Sequence, residues 1–377
     1  MPTAARQPAA RGPVHPSAVL DHLPPGTNVV VPLANGEPWS VLQAMDDAAD
    51  RLEGVRVHQM HALRDHRYLH GDHNGRLDHV SYFLSPVTRP AFHEGALDLV
   101  PCHFSEVPLL LERLSGPMLA VASVSPPDAH GYFTLGTNAD YTASFIGRVP
   151  FFVEVNERMP RTLGRNEIHM SQVVGWCEAD YELIESFPPE PNEVDRRIGS
   201  LVAERIDHGA TIQAGIGSTP TAVIRQLHGH QHLGVHTEVL SDPMIDLIEA
   251  GVVTGVHKVR RPSKVVTTFA LGTRRLYDFL DEHLAVEMLP VDWSTTPGSS
   301  PSNPRWCRST PRPRSTSSAS ARRRPSAAAT GPVRADRPTS PAGPCTPRVG
   351  RASWSFPRRL ATVRCRASFR PCRAAPR

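Results

Sequence analysis

The pattern of apolar residues changes at Trp293. Before it, short apolar runs alternate with amphipathic segments. After it, Pro, Arg, Ser, Ala and Thr dominate and apolar periodicity almost vanishes. Only the first stretch can therefore supply a hydrophobic core. Charge divides at the same place. Residues 294–377 hold 18 Arg, no Lys and one acidic residue, Asp336, a net charge of +17. The whole chain carries +4, so residues 1–293 carry −13. Four of the six cysteines (Cys307, Cys345, Cys365 and Cys372) lie beyond the break. Cys102 and Cys177 alone imply no disulfide framework.

Ahead of the break, residues 1–25 are rich in Pro, Ala and Arg and are expected to form a loose leader. Val29-Val30-Val31 reads as a short buried strand, followed by a turn at Asn35-Gly36-Glu37-Pro38 and a helix from Trp39 to about Arg51. Strands are expected from Val55 to His61 and from Ser81 to Leu84, with a helix ending near Gly95. Another strand opens at Asp98, and Glu106 to Leu114 reads as a helix. Met118 to Val124 and Phe151 to Asn156 read as buried strands. This alternation indicates a parallel α/β sheet. Pro188 to Asn192 is Pro-rich and acidic, as in a linker between domains. A helix from Glu193 to Asp207 then opens a second domain. Further strands are expected at Lys264 to Gly272 and Val286 to Val291, around a helix from Arg275 to Asp281. No apolar run is long enough to span a membrane, and the N-terminus lacks a signal-type apolar core. The expectation is a cytoplasmic protein without membrane attachment.

Thr211 to Gly255 holds the candidate chemistry. Thr211 to Ala214 reads as a strand that ends in Gly215-Ile216-Gly217. Ser218 or Thr219 is placed to cap the next helix, with Pro220 in its first turn. Leu233 to Leu240 reads as a second strand, and a helix with Ile245, Leu247, Ile248 and Val252 on its apolar side follows it. The Gly-x-Gly turn permits close approach of a ligand to the backbone at a helix start, where negative charge is favoured. Taken alone it is equally a plain tight turn. Glu238 sits where a parallel strand delivers side chains to the carboxyl edge of a sheet, the usual ligand side of open α/β folds. A carboxylate there can act as a covalent nucleophile, or it can be a solvated surface residue.

Other polar groups carry weaker signals. Asp128 and His130 invite an acid–base or metal reading, but closure of their own loop by hydrogen bonds is the simpler role. Arg158 and Arg161 are candidates for holding a carboxylate or phosphate, or for structural ion pairs. His228, His230, His232 and His236 straddle a helix end and a strand. They read as surface residues, and no metal site is expected.

The run QAGIGSTPTAV followed by LGVHTEVLSDPMIDLIEAGVVTG resembles the acetyl-CoA hydrolase/transferase family of class I CoA-transferases, which includes 4-hydroxybutyrate CoA-transferases. The segments Ser125 to Tyr132 and Asn156 to Thr162 are similar to the same family. The resemblance implies two open parallel-sheet domains, at 26–187 and 188–293, with the second incomplete. It implies that Glu238 is the nucleophile that becomes a glutamyl-CoA thioester. It assigns CoA contact to Gln213, Ala214, Gly215, Ile216 and Gly217. Acyl-CoA and small carboxylic acids are the implied substrates, with no permanently bound cofactor and a homo-oligomer, a dimer, as the assembly. The alternatives are an acyl-CoA hydrolase, or an inactive remnant that at most binds CoA.

The tail fits the same family in another reading frame. Ser-Thr-Thr-Pro at 294–297, regrouped by one base, permits Val-Asn-Asp-Pro. Trp306-Cys307-Arg308 permits Met-Val-Ser, and Arg334 to Ser340 permits Gly-Gly-Gln-Ala-Asp-Phe. Arg312 to Ala319 and Arg366 to Arg370 also regroup into family segments, in order and in one frame. One missing base after Trp293 accounts for all five. On this reading 294–377 is a disordered out-of-frame tail, and its arginines are GC-rich codons read in the wrong phase. They are not an evolved nucleic-acid arm, and no specific nucleic-acid partner is expected.

Overall fold

The computed structural model describes residues 12–294 and 306–309. The remaining residues, including most of the Arg-rich tail and the first part of the leader, lie outside the described residues.

In chain order the first lobe contains β1 (Asn28–Val30), α1 (Trp39–Asp47), β2 (Val55–Gln59), β3 (Leu77–Ser81), α2 (Thr88–Glu94), β4 (Asp98–Leu99), α3 (Val107–Leu111) and β5 (Met118–Val124). It continues with β6 (Tyr132–Thr134), β7 (Phe151–Asn156), β8 (Glu167–His169) and β9 (Val173–Ala179). Seven strands form one parallel sheet in the order β4-β3-β2-β1-β5-β7-β9, and β6 pairs antiparallel with β8. The chain winds outward from β1 to β4, then returns to β5 on the other side of β1. The β1/β5 boundary is thus the topological switch point, where open α/β sheets usually bind ligands.

The strands near this point are covered on both faces, so they read as nearly unbroken apolar runs. Leu119, Val121, Phe151 and Phe152 are buried. Full burial of side chains this large contributes about 1.5–3 kcal/mol each. Helix α1 packs Val41, Leu42 and Met45 on the sheet. Its N-cap, Pro38, offers no side-chain acceptor. The buried Glu154 of β7 fills that role, accepting from Ser40 N at 2.7 Å and Val41 N at 3.3 Å. Negative charge at a helix start is favourable. Burial nevertheless pushes the Glu154 carboxyl upward, against the pull of those hydrogen bonds.

Two expectations need correction here, and one strand was unforeseen. The third strand lies at β3, four residues before its expected start, because its inward positions are Leu77, His79 and Ser81 rather than an apolar run. Strand β9 was not anticipated. The second half of the leader is docked: Val14 N donates to Trp176 O at 2.8 Å, and the 3-10 helix at Pro16–His22 buries its Val19.

The second lobe comprises α4 (Glu193–Ala203), β10 (Thr211–Ala214), α5 (Ser218–Arg225), β11 (Gly234–Val235), β12 (Val239–Leu240), α6 (Asp242–Glu249), β13 (Val265–Thr267), β14 (Phe269–Ala270), α7 (Arg274–Leu280), β15 (Val286–Met288), α8 (Val291–Ser294) and β16 (Trp306–Ser309). Among the described residues its ladders are parallel: β11-β10-β16, β12-β14 and β13-β15, with isolated parallel bridges from Leu233 to Val253 and from His236 to Val266. Within the stretch read as the tail, the four residues of β16 pair with β10. Helix α4 opens with a capping box between Asn192 and Asp195. Gly199 lets it lie close to α5, where a Cβ would sit 2.8 Å from the Ala222 carbonyl carbon.

The lobes join beyond the switch point. Ala139 N and Asp140 N both donate to Thr268 O, at 2.8 and 2.9 Å, and Ala270 N donates to Thr137 O at 2.8 Å. Asp140 is itself held from the β1 side, where Leu33 N donates to its carboxylate at 3.1 Å. A second seam runs at Gly164, whose φ of +149° and close approach to Met288 exclude a side chain.

Candidate active site

Glu238 does not lie inside a continuous strand, as expected, but at a break between β11 and β12. The break has a side-chain cause. Thr237 Oγ1 lies 2.9 Å from Ala214 O and 3.0 Å from Val239 O, so its one proton is shared between carbonyls on β10 and β12. One strand over, Thr267 Oγ1 reaches Glu238 O at 3.2 Å and Phe269 O at 2.8 Å. The backbone amides of Thr268 and Phe269 also donate to Glu238 O, each at 3.2 Å. The Glu238 peptide is pinned from several sides, while its half-buried side chain faces Gln213. Gln213 Nε2 donates to Glu238 Oε2 at 3.3 Å.

Gln213 and Ala214 are buried at the carboxyl end of β10. Gly215 and Gly217 are half-buried, and Ile216 is exposed. Gly217 has a φ of +135°, which favours glycine, and it occupies the N-cap of α5 without any side-chain cap. The expected cap by Ser218 or Thr219 is absent. Thr219 Oγ1 instead donates to Asp195 Oδ1 at 2.5 Å, and that bond is the main cause holding the Asp195 carboxyl below its usual range. Pro220 lies in the first turn of α5. The structure thus brings Gln213 to Glu238, ties Ala214 to its neighbour Thr237, and places Gly215 to Gly217 directly after them along the chain.

The weaker candidates have local partners. Asp128 Oδ1 accepts from His130 N and Tyr132 N, both at 2.9 Å, so it closes its own loop. Arg158 Nε donates to Asp180 Oδ1 at 2.7 Å. Arg161 donates to the carbonyls of Pro126 and Tyr132 and ties that loop down. Of the four clustered histidines, His236 is not at the surface. It is buried, stacks on Trp293 with an interplanar angle of 8°, and meets Ser294 O at 2.9 Å through Nε2. Desolvation first, then the charge on Lys258, pushes it down to about 4. Arg260 and Arg261 lie over the same Trp293 ring, 5.1 and 5.5 Å from its centroid.

Sequence reasoning missed the buried polar layer at the switch point. Glu37 accepts from Gln59 Nε2 at 2.9 Å and from Leu63 N and Arg64 N at 3.2 and 2.9 Å. Burial raises its carboxyl to about 7. Nothing in the local sequence marks Glu37 as buried, because the loop that bonds it arrives from β2. A cleft of 560 Å³ lined by Ser144, Arg148, Arg165, Glu167, Asp292 and Trp293 includes neither Glu238 nor the glycine turn. Among the described residues, no group of three His, Cys, Asp or Glu is placed to hold a metal, and no helix is long and apolar enough to cross a membrane.

Residues 11–189 match the acetyl-CoA hydrolase/transferase N-terminal domain. The crystal structure of 4-hydroxybutyrate CoA-transferase from Porphyromonas gingivalis is 33% identical, with a TM-score of 0.69, over 78% of this chain and 71% of that one. The chain belongs to the acetyl-CoA hydrolase/transferase family. The 4-hydroxybutyrate coenzyme A transferase of Clostridium kluyveri is 36% identical over 273 residues, covering 72% of this family member and 64% of that protein. The succinyl-CoA:cyclohexane-1-carboxylate CoA transferase of Geobacter metallireducens is 37% identical over 286 residues, with coverages of 76% and 64%. This member of the acetyl-CoA hydrolase/transferase family thus spans less than two thirds of the length of these curated relatives.

Proposed function

We propose that the chain derives from a CoA-transferase in which Glu238 is the covalent nucleophile. Its carboxylate adds to the acyl-CoA carbonyl and CoA thiolate leaves, giving a mixed anhydride. The thiolate then adds to the glutamyl carbonyl and releases the free carboxylate, leaving glutamyl-CoA. An acceptor carboxylate runs the same steps in reverse and departs as its CoA thioester. In this reading the Gly215-Ile216-Gly217 turn contacts CoA. Residues 26–187 and 188–293 are the two domains, working as a cytoplasmic homodimer. The observation that supports it most directly is the Gln213 amide on the Glu238 carboxylate at 3.3 Å, at a strand break beside the glycine turn. An amide aimed at a reacting carboxylate can hold its orientation and stabilise charge that develops there.

The test is covalent trapping. Purified chain is incubated with acetyl-CoA or butyryl-CoA, reduced with borohydride and digested. A modified peptide containing Glu238, absent from Glu238→Gln, is the expected result. No modification with any acyl-CoA, even in a chain with its frame restored after Trp293, would overturn the assignment. CoA release without transfer to acetate would favour a hydrolase.

The regrouping of the tail favours a second reading, in which one base has been lost after the Trp293 codon and the chain is an inactive remnant. Sequencing across that codon tests it directly. Restoring the base is expected to raise transfer at least about tenfold if the missing second-domain strands complete the site. A thermal shift with CoA in the unrestored chain, without turnover, fits the same reading.

A further inference from the structure

We infer that Thr267 is a positioning residue for Glu238; the inference rests on Glu238 being the reacting group. The amides of Thr268 and Phe269 donate to the Glu238 carbonyl at 3.2 Å, and the single Thr267 hydroxyl proton is shared between that carbonyl at 3.2 Å and Phe269 O at 2.8 Å. The hydroxyl thus bridges the break in its own strand to the break that carries Glu238. Thr237 repeats this arrangement towards β10, bridging Ala214 O and Val239 O. Two threonines one strand apart therefore set the backbone on both sides of Glu238 relative to the glycine turn. The adjacent peptide extends the brace to the other lobe, since Thr268 O accepts from Ala139 N and Asp140 N.

Thr268 offers an internal comparison. Thr267 and Thr268 are both fully buried, but Thr268 Oγ1 has no hydrogen-bond partner among the described residues. Equal burial with unequal bonding separates the role of the Thr267 hydroxyl from mere filling of space. A carboxylate nucleophile must be held close to its line of attack, and a misplacement of about 1 Å can cost about 10²-fold in rate.

The experiment compares Thr267→Val, Thr267→Ser and Thr268→Val in the full chain. Valine keeps the shape and removes the hydroxyl; serine keeps the hydroxyl. The readouts are hydrogen exchange at the amides of Thr268 and Phe269 and the rate of adduct formation at Glu238. Thr267→Val is expected to speed exchange of these two amides about tenfold and to slow adduct formation about 10–100-fold with KM little changed. Thr267→Ser restores both readouts to within about threefold, and Thr268→Val moves both at least about fivefold less than Thr267→Val. Matching effects of Thr267→Val and Thr268→Val, or failure of serine to restore, would overturn the inference. Faster exchange with an unchanged adduct rate would overturn it too. Exchange needs no turnover. If no adduct forms even with the frame restored after Trp293, the nucleophile reading falls, and the exchange pattern alone decides whether Thr267 holds the Glu238 peptide.

Discussion

Gln213, in β10, and Glu238, at the break between β11 and β12, meet side chain to side chain, Nε2 to Oε2, at 3.3 Å. A hydrogen bond to a charged group is typically worth about 1.5–3 kcal/mol. Gln213→Leu removes the donor at similar volume and is expected to lower kcat for acyl transfer about 10–100-fold. Gln213→Glu sets two carboxylates against each other and is expected to cost more than leucine. Steady-state kinetics beside a thermal melt check both, and unchanged kcat in both variants would remove Gln213 from the site.

His79 is fully buried in β3 and neither ring nitrogen has a hydrogen-bond partner among the described residues. Burial is the main cause that pushes it down to about 3. It stays neutral in the fold, while the unfolded chain takes up a proton below about 6.5. Its contribution to stability is therefore lost as pH falls from about 6.5 towards 3. His79→Leu lacks that proton. Its stability relative to wild type is expected to rise as pH falls through this window, by up to about 1.4 kcal/mol per pKa unit. Urea denaturation at pH 7.5, 6 and 5 measures it, and a flat difference would count against the neutral, buried histidine.

Lys258 is buried and donates from Nζ to Val235 O at 2.7 Å and Lys264 O at 2.6 Å. Desolvation lowers it to about 7, from an ordinary value near 10.5. Between these values the unfolded chain holds more protons, so stability rises with pH across that window. Lys258→Met abolishes the titration. Wild type is expected to gain on the variant as pH rises from 7 to 10, read from denaturation midpoints. Parallel curves would show that the ammonium is already solvated.

Gly199→Val tests the α4–α5 contact. Replacing glycine by valine favours the helix by only about 0.3 kcal/mol. The new Cβ meets the Ala222 backbone at 2.8 Å, which cannot yield as a flexible side chain would. Overpacking of this kind costs about 1–3 kcal/mol, so the variant is expected to be less stable overall. A raised melting temperature would show that the helices separate freely.

The sheet of the first lobe was legible where burial leaves a continuous apolar run, as in β5 and β7, whose expected and observed limits agree. The reading failed where tertiary partners let polar residues go inside. At β3 the inward His79 and Ser81 hid the strand, while the apolar run after it, Tyr82 to Leu84, forms bends and loop. Glu154 gave no sign that it caps α1, because its partners lie more than a hundred residues away in the chain.

The order of residues alone determined the alternation of strands and helices, the Gly-x-Gly bend, Glu238 as the candidate nucleophile and the compositional break at Trp293. The alternation, the bend and the break are local signals of periodicity, glycine and composition, whereas the role of Glu238 is what the resemblance of the run around it to the family implies. Folding decided that Glu238 sits at a strand break, that Gln213 faces it and that Thr237 and Thr267 hold the backbone around it. These contacts join strands 23 to 29 residues apart. Their geometry arises only when parallel strands are laid side by side, and no single segment encodes which hydroxyl will meet which carbonyl.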